Sequence, residues 1–126
     1  MTPRDWAAIG FGALSGVAIL FHLLVMMGAP WGRLTMGGRF DGQLPPAMRM
    51  ASVLSAGLVA VMALAILSAA GLGPDWPRWT AWAALALSLA SCLMNWLTPS
   101  RAERLLWGPL TTIMLLLAAT VVLWRP

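Results

Sequence analysis

Four long apolar runs, separated by short segments that carry nearly all the charge, set the pattern of this chain. They extend from Trp6 to Met27, Met50 to Gly73, Trp79 to Leu97 and Leu105 to Trp124. Each is close to the roughly 20 apolar residues that a membrane-spanning helix requires. Backbone amides and carbonyls in hydrocarbon have to pair within their own segment, which selects helices over any open sheet. The pattern therefore predicts an all-α fold: a four-transmembrane-helix bundle with short loops. Residues 1–126 form a single integral membrane domain, and four crossings put both termini on the same side.

Local signals place the helix starts. Thr2-Pro3-Arg4-Asp5 reads as an N-cap, a proline in the first turn and an acid there to meet the exposed amides. Ser100-Arg101-Ala102-Glu103 reads as a capping box in which hydroxyl and carboxylate each accept from the other residue's amide. Pro45-Pro46 can open the second helix. Asp75 followed by Pro77 can open the third, after the Gly71-Leu72-Gly73-Pro74 turn.

Composition agrees with the spans. Hydrophobic residues make up 60% and charged residues 10%, against the roughly 25% charge of soluble domains. A soluble globule is excluded, and the length leaves room for one bundle and no separate soluble domain. The first run is too long for a signal-peptide core and lacks a convincing basic leader, so it is expected to stay in the mature protein. Net charge is +4, and all the basic residues are arginines at run boundaries. Anionic headgroups, and no nucleic acid, are the partners this implies. Cys92, the single cysteine, lies inside the third run, can form no internal disulfide and reads as a small packing residue.

Tryptophans prefer the headgroup level, where the ring is half-buried and the indole N–H hydrated. Trp6, Trp76, Trp79 and Trp124 fall on the side of the termini, and Trp31, Trp96 and Trp107 on the other, with Trp82 a turn deeper. Arg33, Arg39, Arg49, Arg101 and Arg104 flank the first and third loops, against Arg4, Arg78 and Arg125 on the terminal side. The positive-inside rule then makes the two loops cytoplasmic and the termini periplasmic.

Small residues recur at four-residue spacing: Ala8, Gly12 and Gly16, then Ser52, Ala56 and Ala60, then Ala84, Ser88 and Cys92. Such stripes allow close helix approach, and packing within the chain is favoured for Gly12 and Gly16 over a homodimer seam. The fourth helix, with bulky Ile113 to Leu117 and Val121 to Leu123, is expected to face lipid most.

No Asp, Glu, Lys or Arg lies in the middle of a run, which disfavours a proton-driven pump. His22 and Asn95 share a depth about one turn inside the boundary of the first and third loops. They are expected to approach one another, with Arg49, Ser52 and Thr111 (beside Thr112) adding polar groups near that face. This is the candidate polar or ligand site. Its bland alternative is interhelical hydrogen bonding, worth about 1 kcal/mol per contact. One histidine with Met26 a turn away makes neither a haem nor a metal site, and no nucleophile has a base and an orienting acid at suitable spacing. No catalytic residue, cofactor or metal is expected.

The segment from Gly28 to Arg49 is rich in glycine yet carries Trp31, Met36 and Phe40. It reads as a structured cap at the interface that anchors the first two helices. Arg33, Arg39, Arg101 and Arg104 with Trp31 form a candidate anion or headgroup loop. It is not a P-loop, for it lacks a Gly-Lys-Ser or Gly-Lys-Thr ending.

Two stretches, FHLLVMMGAPWGRLTMGGRF with LPPAMRMAS and MNWLTPSRAERLLWGP, cover a little over a third of the chain. In order and placement they resemble an uncharacterised family of small bacterial four-helix integral membrane proteins. The resemblance implies a bacterial membrane location and this fold, and transfers no catalytic residue. Expected function follows in two classes. One is a non-catalytic membrane component that packs against partner proteins or lipids, as a homo-oligomer or within a larger membrane complex. The other is a small-molecule, lipid or anion binder or transporter. The second requires a polar cavity between the helices.

Overall fold

The computed structural model describes residues 1–125. It contains four long helices, α1 (Pro3–Met26), α2 (Pro46–Ala69), α3 (Arg78–Leu97) and α4 (Arg101–Val122). All four are long and apolar enough to cross a membrane. Two short 3₁₀ turns, Gly32–Leu34 and Met36–Gly38, lie in the loop between α1 and α2. Helices α1, α2 and α4 begin about one turn before their apolar runs, because proline and polar first-turn residues are helical without being apolar.

Helix ends follow local chemistry, with two departures from expectation. At α1 the capping box is complete: the Asp5 amide donates to Thr2 Oγ1 at 3.3 Å and the Thr2 amide to Asp5 Oδ2 at 2.8 Å. At α4 only half forms. The Glu103 amide donates to Ser100 Oγ at 3.2 Å, but the Glu103 carboxylate accepts from the Gly37 amide instead of returning to Ser100. The loop supplies a distant donor, and the Ser100 amide turns to Thr98 Oγ1 at 3.3 Å. Asp75 does not cap α3. It occupies a left-handed turn position (φ 61°), and α3 starts behind Pro77 with no side-chain cap.

Two buried clusters define the bundle. One joins Ala7, Ala8 and Phe11 of α1 to Ala65 and Ile66 of α2, Ala81 and Ala84 of α3, and Ala118 and Val121 of α4. It brings the start of α1 and the end of α4 to the same end of the molecule. Arg78 Nη2 closes that end by donating to the Val122 carbonyl at 2.6 Å. The other cluster joins Ala18, Phe21 and Val25 to Leu44 of the first loop and Trp107 of α4 at the opposite end.

Packing follows the small-residue stripes in part. Ala84, Ser88 and Cys92 are all buried on α3, as are Ser52 and Ala56 on α2. On α1 the buried face runs through Ala8, Phe11, Ser15, Ala18, Phe21 and Val25. Gly12 packs on Leu67, but Gly16 is exposed with nothing near it. A strict four-residue step precesses by about 40° each time on a helix of 3.6 residues per turn, so Gly16 has rotated off the seam. Nor does α4 face outward most. One-third of its apolar window is buried (33%) against 22% for α3. Thr111, Met114, Ala118, Val121 and Val122 make an inward stripe on α4, and Ile113, Leu116 and Leu123 point out.

Candidate functional site: a capped cavity between the helices

The first loop folds back over the end of the bundle and is tied to α4 by three hydrogen bonds. Trp107 Nε1 donates to the Leu34 carbonyl at 2.8 Å, Ser100 Oγ to the Arg33 carbonyl at 2.8 Å, and the Gly37 amide to Glu103 Oε2 at 3.0 Å. Within the loop the Gly32 amide donates to the Gly42 carbonyl at 2.8 Å. Leu44 is buried beneath it. The Phe21 ring meets Trp107 edge-on at 4.8 Å and stacks on Trp31 at 6.0 Å. Trp107, expected at the headgroup level, is therefore a buried post under the loop, its indole N–H satisfied by backbone in place of water.

Beneath this cap lies a half-open cavity of about 400 Å³, walled by all four helices and the loop. This volume falls within the roughly 300–1,000 Å³ typical of small-molecule sites. His22, Asn95, Thr111 and Glu103 face it at the capped end. Ser55 of α2, Ser88 and Ser91 of α3 and Thr35 of the loop add hydroxyls, and the remaining wall is mostly apolar. Ser88, Ser91 and Asn95 share one face of α3, a spacing readable in the sequence. Glu103 was concealed there by its resemblance to an ordinary capping residue.

The polar groups differ in what they leave free. Thr111 Oγ1 donates to the Trp107 carbonyl of its own helix at 2.5 Å. Asn95 Nδ2 donates to the Ser91 carbonyl at 2.8 Å and to Ser91 Oγ at 3.3 Å. Since a carbonyl demands a donor, the amide nitrogen faces Ser91, and no described residue donates to Asn95 Oδ1. His22 is half-buried, parallel to Trp107 at 6.4 Å and edge-on to Phe21 at 5.5 Å. Its Nδ1 has no partner among the described residues. His22 and Asn95 thus line one cavity without a direct hydrogen bond between them.

The other expected members lie elsewhere. Arg49 Nε donates to the Leu44 carbonyl at 2.8 Å and its Nη2 to Gln43 Oε1 at 3.2 Å, which pins the loop to the start of α2. Ser52 is wholly buried with its hydroxyl unpartnered among the described residues, and does not line the cavity. The loop arginines do not converge either. Arg33 makes only an exposed 3.9 Å approach to Asp41, a contact worth little in water. Arg39 lies 5.6 Å from the centre of the Phe40 ring. Arg101 is exposed, and Arg104 Nη1 donates to the Thr98 carbonyl at 2.6 Å. Cys92 Sγ lies 3.4 Å from Thr112 Oγ1, which also accepts from Trp96 Nε1 at 2.8 Å, so the thiol serves α3–α4 packing.

A smaller hollow of about 120 Å³ follows along the α2–α3 seam, and shares Leu58, Met62 and Leu87 with the cavity. It runs to Trp76, Trp79 and Thr80 and is almost entirely apolar. Among the described residues Glu103 is the single Asp, Glu, Lys or Arg side chain lining either hollow. The site thus offers a carboxylate, an amide oxygen, an imidazole and several hydroxyls toward one end and mostly hydrocarbon along the rest. Comparisons with protein-family models, with curated proteins and with solved structures each return no match.

Proposed function

We propose that this chain is a non-catalytic membrane protein that binds a small amphipathic molecule in the capped cavity. Four membrane-length apolar helices make it a small membrane protein, and the carrying observation is the cavity itself. A space of about 400 Å³ with apolar walls and His22, Asn95 and Glu103 at one end suits a ligand with one polar end. An anion-binding role has less support, since Arg49, Arg33, Arg39, Arg101 and Arg104 lie off the cavity. The signatures in the first loop and at the start of α4 favour a bacterial cytoplasmic membrane. The arginine balance favours a cytoplasmic cap and periplasmic termini.

The test is native mass spectrometry of protein extracted from membranes in a mild detergent. A co-extracted small-molecule mass is expected on the unaltered chain and should be lost from Ser55→Phe, which fills the cavity from α2. The proposal fails if the folded protein carries no such mass and no amphiphile raises its thermal stability.

A further inference from the structure

The cavity and the apolar hollow share three wall residues, Leu58, Met62 and Leu87, so they form one furrow along α2 and α3. On α3 the furrow runs from Asn95 to Thr80, a length of about 22 Å at 1.5 Å per residue. Its polarity is graded. Polar groups cluster toward the cap, Glu103 the charged one, and beyond Met62 the walls are Val61, Ala65, Ala83 and Ala84, ending at two tryptophans. The side of the furrow is formed in part by exposed Leu58, Leu87 and Met94, so this wall lies at the outer surface of α2 and α3.

The charge at the polar end has one sign. Glu103 receives the Gly37 amide, yet no arginine forms an ion pair with it among the described residues. Arg49, Arg78 and Arg104, the arginines with inward hydrogen bonds, are occupied by backbone carbonyls. A phosphate or carboxylate headgroup would meet the Glu103 carboxylate and the free carbonyl oxygen of Asn95, offset by the hydroxyls of Thr35, Ser55 and Ser91 and by His22 but by no arginine among the described walls. A group that donates hydrogen bonds, and above all a cationic one, finds partners in both. The narrow second hollow gives room for one chain.

Resting on the reading of the cavity as a ligand site, we propose that its occupant is a single-chain lipid amine. The ammonium is held under the cap by Glu103 and Asn95, and the tail lies along the α2–α3 furrow toward Trp79. The molecule enters sideways from the bilayer, and the first loop bars the route from water.

Three probes with one tail and different heads test this on the full chain in lipid nanodiscs: oleylamine, oleyl alcohol and oleate. Oleylamine should bind saturably and roughly tenfold tighter than oleate, with the alcohol between them. Glu103→Gln should remove most of that preference, and Ala83→Leu, which fills the furrow, should weaken all three. An oleylamine with a photoreactive tail should label α2 and α3 between Val61 and Leu87. Equal or tighter binding of oleate by the unaltered chain, or labelling confined to other surfaces, overturns the amine and furrow assignment while the cavity remains a ligand site. No saturable binding of any of the three, together with no co-extracted mass, defeats both. The head-group comparison needs no variant, so a Glu103→Gln protein that failed to fold would not spare the proposal.

Discussion

Replacing Gly38 by alanine should destabilise the protein by about 3 kcal/mol, and Gly42→Ala by only about 1 kcal/mol, although both glycines adopt the left-handed region (φ 72° and 79°). The backbone term is common to both, about 1–2 kcal/mol for an L-residue in that conformation. Surroundings separate them. A Cβ on Gly42 meets nothing within 4 Å, whereas a Cβ on Gly38 lies 2.7 Å from Ser100 Cβ and 2.8 Å from its Oγ. Ser100 then has to move, and it holds two contacts: the cap to the Glu103 amide and the bond to the Arg33 carbonyl. Losing each costs about 1 kcal/mol. The assay is unfolding of the purified protein in mild detergent by added dodecyl sulfate, followed through the helical circular dichroism signal. Ser100→Gly removes the obstructing Cβ, so in that background the extra penalty at Gly38 should largely vanish, a non-additivity expected of residues in contact. Equal destabilisation by Gly38→Ala and Gly42→Ala would refute the account of the loop as seated on α4.

Ser100→Ala alone should cost about 1–2 kcal/mol, read in the same titration, because it removes an N-cap and strands the Arg33 carbonyl. A variant as stable as the parent would show that α4 does not depend on this cap. Single cysteines placed at Arg4 and at Gly42 should react with membrane-impermeant maleimide from opposite sides of intact vesicles, since the residues lie at opposite ends of the bundle. Buried Cys92 should contribute little background, and labelling of both sites from one side would contradict the four-span arrangement.

The spans were legible because bilayer thickness and hydropathy act on each segment alone, and Thr2 with Asp5 was legible because a cap is a contact between near neighbours. What depends on azimuth or on distant partners was not. Gly16 carries the same four-residue signal as Ala8, yet the slow rotation of that step around the helix leaves it outside. Trp107 obeys the interfacial preference in sequence position, but a carbonyl seventy-three residues away in the first loop replaces water as its acceptor. Glu103 is the most instructive case. Its spacing from Ser100 predicts a local hydrogen bond, and only the folded loop reveals a competing donor at Gly37. At the cavity, shared depth pointed to His22, Asn95 and Thr111, which the fold places along its wall. It could not separate them from Arg49, whose long side chain turns to the nearby Leu44 carbonyl. Ser88 and Ser91, one face with Asn95 on α3, were available to the same periodicity argument.

The ties between the first loop and α4 also impose an order on biogenesis. Gly37, Arg33 and Leu34 find their partners sixty-six to seventy-three residues later in the chain. At translation speeds of about 5–20 residues per second, the loop waits on the order of 3–15 seconds before the segment that completes it has been made. During that interval α1 and α2 can insert and pair, while the loop backbone is satisfied by water at the membrane surface. The roof of the cavity consequently cannot close until the start of α4 has been made, and a chain halted before α4 would reach the bilayer with its first hairpin in place and that roof unbuilt.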